Sequence, residues 1–196
     1  MGSWDDAAVG WDEDPMVCAY ADAAFASLER LLEKRGVTHA GARVLDFGCG
    51  PGQLSARFRP AAAVLAIDAA PKMIEVLRAK ALPNVDARTA PLGENDGPFD
   101  LAVASSVCAF LPDYPATLRT LAATLSPGGL FVQWDWERPP GETRTEESFG
   151  LTRREIEDAL RGAELELVAL EQAFSLAVPG SETRMEPLMG VGRRPG

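Results

Sequence analysis

Two carboxylates and three glycines gathered around one short segment are the residues of this chain best suited to chemistry. The segment is Val44-Leu45-Asp46-Phe47-Gly48-Cys49-Gly50-Pro51-Gly52-Gln53-Leu54-Ser55. An apolar run ends in a glycine-rich turn, and a helical stretch is expected behind it from about residue 53 to 59. Glycine lets a backbone approach a ligand where a Cβ would collide, and a helix start offers free N–H groups. Asp68 closes the next apolar run, 18 residues after Gly50. At that spacing an acid can accept both hydroxyls of a ribose, at the carboxyl ends of the strands. These residues imply an adenosine-containing ligand.

Two details narrow the ligand. The dinucleotide fingerprint G-x-G-x-x-G requires a third glycine where this chain has Gln53. Asp46 also stands two residues before the first glycine. A carboxylate there repels a pyrophosphate but can hold the ammonium of an amino-acid moiety. A cationic, ribose-bearing ligand therefore fits better than a dinucleotide, and a nicotinamide-dependent oxidoreductase is disfavoured.

The elements that must position these residues alternate. Apolar spacing predicts a helix from Pro15 through Val17, Tyr20, Ala21, Ala24, Leu28, Leu31 and Leu32, capped near Gly36. Strands are expected at 43–46, 64–68, 85–89, 100–105 and 130–135, with helices at 71–81 and 117–125 between them. Thr152 and Glu155 have the spacing of a capping box opening a helix to about residue 161. Strands at 164–174 and 185–193 close the chain as a hairpin around Pro179-Gly180, and the polar stretch 139–148 reads as a loop. Alternation of strand and helix argues a mostly parallel sheet covered on both faces. Two closing strands without a helix between them argue an antiparallel addition at one edge.

With these motifs in order, the chain resembles the class I S-adenosylmethionine-dependent methyltransferases over about residues 43 to 193. The Asp-Phe-Gly-Cys-Gly-Pro-Gly turn is similar to the family's first motif, and Asp68 to its ribose-binding acid. Phe99-Asp100-Leu101-Ala102 resembles the family's Phe-Asp-Leu-Val start of the fourth strand. Leu125-Ser126-Pro127-Gly128-Gly129 resembles its Leu-Lys-Pro-Gly-Gly turn.

The resemblance implies a Rossmann-like, doubly wound, seven-stranded sheet with an antiparallel last strand. It implies S-adenosylmethionine as cofactor, held by Asp46, Gly48, Cys49, Gly50, Gly52, Asp68, Ala69 and Met73. Leu92 would lie near the adenine and Ser105 near the transferred methyl group. The family's acid before Leu92 is absent, because Pro91 stands there.

Asp135, between Trp134 and Trp136 at the end of the fifth strand, is the candidate base for a hydroxyl acceptor. The two tryptophans read equally as core packing and as an acceptor wall. His39, the single histidine, precedes the first strand and is expected to pack rather than react. Cys49 is expected to be a small packing residue.

The organisation follows: residues 1–41 form an arm and helix that could cap the site, and residues 42–196 form the cofactor-binding domain. The chain has 196 residues and a net charge of −10. Such a surface disfavours broad contact with nucleic acid or an anionic membrane. Three widely spaced cysteines suggest neither a disulfide framework nor a metal site. No secretory or membrane-spanning pattern is apparent, so a cytoplasmic monomer or homodimer with a small-molecule acceptor is expected. A non-catalytic, cofactor-binding regulatory protein is the alternative reading.

Overall fold

A computed structural model describes residues 4–93, 95–143, 145 and 150–196. The chain divides into two compact units, Met1–Gly93 and Glu94–Gly196.

The first unit contains helices α1 (Trp4–Trp11), α2 (Pro15–Lys34) and α3 (Pro71–Ala79), and strands β1 (Arg43–Phe47), β2 (Ala63–Ile67) and β3 (Val85–Arg88). Helix α2 starts where the sequence places it. The Asp14 carboxylate accepts the N–H groups of Met16 and Val17, and Pro15 stands where no N–H is needed. Its buried stripe includes Tyr20, Ala24, Leu28 and Leu31. The acidic arm before it was not expected to be helical. It forms α1, which packs on α3 through Ala8 against Ala70 and Met73.

The segment after the glycine turn corrects another expectation. It is a single 3₁₀ turn, Ser55–Arg57, rather than a helix over 53–59. The turn runs through Leu54, and Pro60 follows within three residues of Arg57, so an α-helix has no length in which to propagate.

The second unit contains β4 (Phe99–Ser105), a 3₁₀ turn (Cys108–Phe110), α4 (Tyr114–Ala123), β5 (Leu125–Asp135), α5 (Arg153–Gly162) and β6 (Glu166–Gln172). A short hairpin, β7 (Leu176–Ala177) with β8 (Arg184–Met185), and β9 (Leu188–Arg193) complete it. Helix α4 begins three residues earlier than expected, because the Asp113 carboxylate accepts the Ala116 N–H. The capping box of Thr152 and Glu155 is present at α5.

The strands lie in the order β3-β2-β1 in the first unit and β4-β5-β9-β6 in the second. They belong to one seven-stranded, Rossmann-like sheet in which β9 alone is antiparallel, with helices around it. The two closing strands thus form the expected antiparallel addition at one edge of the sheet, with β9 seated between β5 and β6. Gly190 and Gly192 let α5 pack closely on this strand: a Cβ at Gly190 would lie 2.8 Å from Ile156 Cγ2, and one at Gly192 would lie 2.7 Å from Leu160 Cδ2. A side chain at either position would have to displace Ile156 or Leu160 of α5.

Of the polar stretch read as a loop, residues 144 and 146–148 lie outside the described residues. Among the described residues, no helix is long and apolar enough to cross a membrane, and no acidic, histidine or cysteine group could hold a metal ion.

Candidate cofactor site

In the first unit, Asp46 is the penultimate residue of β1 and Asp68 immediately follows β2. Parallel strands with matched register, Asp46 opposite Ala66 and Phe47 opposite Ile67, bring their carboxyl ends side by side. The glycine turn leaves from that edge. Gly48, Gly50 and Gly52 all take positive φ, at 69°, 52° and 84°. A Cβ at Gly52 would fall 2.2 Å from Leu77 Cδ1, whereas one at Gly50 would meet nothing within 4 Å. Gly52 thus serves packing on α3, and Gly50 leaves a bare backbone approach.

The turn amides are not free. Gly48 and Cys49 both donate to the Ile67 carbonyl, at 2.7 and 3.0 Å, and Gly52 donates to the Cys49 carbonyl at 3.0 Å. Gly50 donates to Asp68 Oδ2 at 2.8 Å, while Asp68 Oδ1 accepts the Ala70 N–H at 2.8 Å. The Asp68 side chain is therefore fixed in direction before any ligand arrives, and each oxygen retains a further lone pair for a hydroxyl donor. The turn thus presents carboxylates and a bare backbone rather than a fan of open N–H groups.

Asp46 is 1% exposed, and its Oδ2 accepts the Ser55 hydroxyl at 2.6 Å. Burial, aided by the negative charge of Asp68, raises its pKa to about 6 against the opposing hydrogen bonds from Ser55. Burial likewise pushes the Cys49 thiol up, and the two neighbouring acids add to it. Cys49 is an inert packing residue in that state, as its sequence position suggested.

Ala69 is exposed beside Asp68. Met73 is buried under α1 against Ala8. Leu92 lies half-buried in the segment after β3.

The N-terminal helices are tied to the same turn. The Gln53 amide donates to the Asp12 carboxylate at 2.8 Å and to its carbonyl at 3.1 Å, and Lys80 pairs with that carboxylate at 2.5 Å. Asp5 accepts the Lys72 N–H at 2.9 Å, near the start of α3, where Ala70 offers no capping side chain. Asp22 pairs with Arg57 at 2.5 Å. Sequence reasoning identified neither these partners nor Ser55, because each contact joins residues far apart along the chain and only the fold pairs them.

The second unit carries the other two candidates. Ser105 ends β4 opposite Trp134 of β5. Ser106, at φ 56°, donates its N–H to the Trp134 carbonyl at 2.7 Å. Asp135 is fully buried. Its Oδ1 accepts the Ala109 N–H at 3.0 Å and its Oδ2 accepts the Gln133 amide at 3.1 Å, while Tyr114 donates to Gln133 Oε1 at 2.6 Å. Burial lifts the Asp135 pKa to about 7, against hydrogen bonds from Ala109 and Cys108 that lower it. Trp134 is also fully buried, which favours its core reading, whereas Trp136 is half-buried. His39 stacks edge-on between Phe25 and Phe58, with centroids 5.4 and 5.6 Å away, so it packs as expected.

The donor set of the first unit suits a cation bearing a ribose. Two carboxylates close enough to influence one another stand at the strand ends, and Lys80, whose charge reaches Cys49 of the turn, is engaged by Asp12. A pyrophosphate would meet repulsion in the same place.

Similarity to known proteins points to one family. A family model described as a methyltransferase domain matches residues 19–170. The trans-aconitate 2-methyltransferase of Deinococcus radiodurans is 39% identical over 95 residues, which are 46% of this chain and 36% of that protein. The ubiquinone biosynthesis O-methyltransferase of Xanthomonas euvesicatoria pv. vesicatoria is 41% identical over 109 residues, 52% of this chain and 46% of that one. The matches thus span less than half the length of these curated relatives. Among solved structures, the complex between the Haloferax volcanii Trm112 methyltransferase activator and a putative methyltransferase shares the fold. Its TM-score is 0.76 at 18% identity, covering 100% of this chain and 99% of that one. Fold, motif order and family match converge: the chain belongs to the class I methyltransferase family, whose cofactor is S-adenosylmethionine.

Proposed function

We propose that this protein transfers a methyl group from S-adenosylmethionine to a small-molecule acceptor by in-line displacement. The observation that carries the reading is the pair of carboxylates, Asp46 and Asp68, flanking a turn whose Gly50 leaves open space where a Cβ would stand. The cofactor supplies an electrophilic methyl group. The chain has to grip the ribose through Asp68, hold the ammonium near Asp46 and keep water out. Ala69, Met73, Leu92 and Ser105 complete the proposed contact set.

The relatives named for O-methylation and for trans-aconitate methylation support a small acceptor. We assign residues 1–41 the role of a cap, supported by the bonds of Asp5 and Asp12 to α3, Gln53 and Lys80. The burial of Asp135 and its hydrogen bonds from Ala109, Cys108 and Gln133 favour a role holding the Cys108–Phe110 turn over the role of general base. An acceptor that brings its own nucleophile, such as an amine, thiol or readily ionised oxygen, then fits best. The same burial favours, as the second reading, a protein that binds the cofactor without catalysis.

Calorimetry with S-adenosylmethionine, S-adenosylhomocysteine and NAD on wild type and Asp68→Ala tests the proposal. Wild type should bind the first two. Two hydroxyl hydrogen bonds to a carboxylate are worth about 1.5–3 kcal/mol each, so Asp68→Ala should weaken binding by about 100-fold or more. Tight NAD binding without response to the sulfur ligands would sink it. Binding without methylation of any amine, thiol, phenol or carboxylate acceptor would favour the second reading.

A further inference from the structure

Ser55 has no place in the site read from sequence, yet it is buried to 1% exposure and its hydroxyl touches the acid expected to meet the cofactor's ammonium. Asp46 and Ser55 are nine residues apart, on opposite sides of the glycine turn. Ser55 opens the 3₁₀ turn that receives the chain after Gly52, so its hydroxyl is placed by the turn itself. A hydrogen-bond donor fixed against a buried carboxylate favours the ionised form, and the ionised form is the one that attracts a cation.

We infer that Ser55 is a positioning residue for the cofactor: its hydroxyl, donating to Asp46 Oδ2 at 2.6 Å, keeps that carboxylate ionised and aimed for the ligand's ammonium. The inference rests on the cofactor reading above. It is separate from the ribose grip, which Asp68 supplies from the other side of the turn.

The environment of Asp46 sets the consequence. Asp68 is the charge that bears on it among the described residues, and it opposes ionisation. Cys49, beside both acids, stays a neutral thiol, and Lys80, whose charge reaches Cys49, is held by Asp12. Burial leaves Asp46 titrating at about 6 even with the Ser55 bond. A ligand carrying an ammonium should bind the ionised form, so affinity falls as pH drops through that value and a proton leaves on binding below it. Without the hydroxyl, the titration moves upward by about one pH unit.

The test is calorimetry of S-adenosylhomocysteine and of 5′-methylthioadenosine, which lacks the amino-acid moiety, on wild type and Ser55→Ala between pH 5 and 8. Wild type should release about 0.8 proton per S-adenosylhomocysteine bound at pH 5.5, read from buffers of different ionisation enthalpy. Ser55→Ala should bind it about fivefold more weakly at pH 6 and within about twofold at pH 8. Binding of 5′-methylthioadenosine should be nearly unchanged at both.

A Ser55→Ala loss that is equal at pH 6 and pH 8, or equal for the two ligands, would show a merely structural serine and overturn the inference. Absence of proton release by wild type would overturn it without any variant. If wild type binds neither ligand, the cofactor reading fails and this inference with it. That outcome is distinct from normal binding with no pH dependence, which overturns the Ser55 role alone.

Discussion

Asp135→Asn tests whether a charge is stored at a cost inside the second unit. The substitution keeps the shape of the side chain and removes its titration. In wild type the carboxyl moves from an ordinary 3.8 to about 7 on folding, chiefly through burial. A pKa raised in the folded state means that the folded protein holds the proton more tightly. Stability from this group is therefore full below 3.8, falls as pH rises, and is lost once pH passes about 7. The slope is about 1.4 kcal/mol per pH unit, so wild type should lose about 2–3 kcal/mol from Asp135 between pH 5 and pH 7.

Asparagine does not titrate and has no such loss. Its oxygen can still accept the Ala109 N–H. Its NH₂ would then face the Gln133 NH₂, a conflict removed if the Gln133 amide turns over and donates to the Tyr114 oxygen instead. Any cost of that rearrangement is the same at every pH. Asp46 also titrates, but equally in both proteins, so it cancels in the difference. Urea unfolding of wild type and variant at pH 5, 6 and 7 reads the result. The variant should gain on wild type by about 2–3 kcal/mol across that range, reaching its full advantage near pH 7. A difference constant to within about 0.5 kcal/mol would refute the reasoning: Asp135 would then be stabilised as a carboxylate by its hydrogen bonds.

The glycine turn yields a paired prediction. Gly52→Ala places a Cβ against the buried Leu77 at a φ of 84° and should cost about 2–4 kcal/mol, whereas Gly50→Ala, with open space around it, should cost about 1 kcal/mol. Equal thermal or urea destabilisation of the two variants would show that Leu77 yields. Asp12→Ala removes the shared partner of Lys80 and Gln53. It should cost about 0.5–1.5 kcal/mol and speed proteolysis between α1 and α2. Unchanged cleavage kinetics would mean that the packing of Ala8 on Ala70 and Met73 and the Asp5 bond to the Lys72 N–H hold α1 without Asp12.

What the sequence determined by itself was everything with a local cause. The Thr152–Glu155 capping box, the Asp14–Pro15 start of α2 and the strand pattern are each set within a few residues, and each stands where the pattern puts it. That Asp46 and Asp68 stand together beside the glycine turn was legible for the same reason, since parallel strands in matched register bring their carboxyl ends side by side. Only the tertiary structure decided the rest. Helix α1 exists because Ala8 finds Ala70 and Met73, some sixty residues away in sequence. The helix expected after the turn shrinks to 3₁₀ between Gly52 and Pro60. β9 enters between β5 and β6, and α5 packs closely over it where Gly190 and Gly192 carry no Cβ. Ser55 and Asp135 acquired their parts from hydrogen bonds across 9 and 26 residues. Spacing can nominate a carboxylate for chemistry. Whether it faces a ligand or is consumed by the protein's own donors depends on partners that are brought together only by folding.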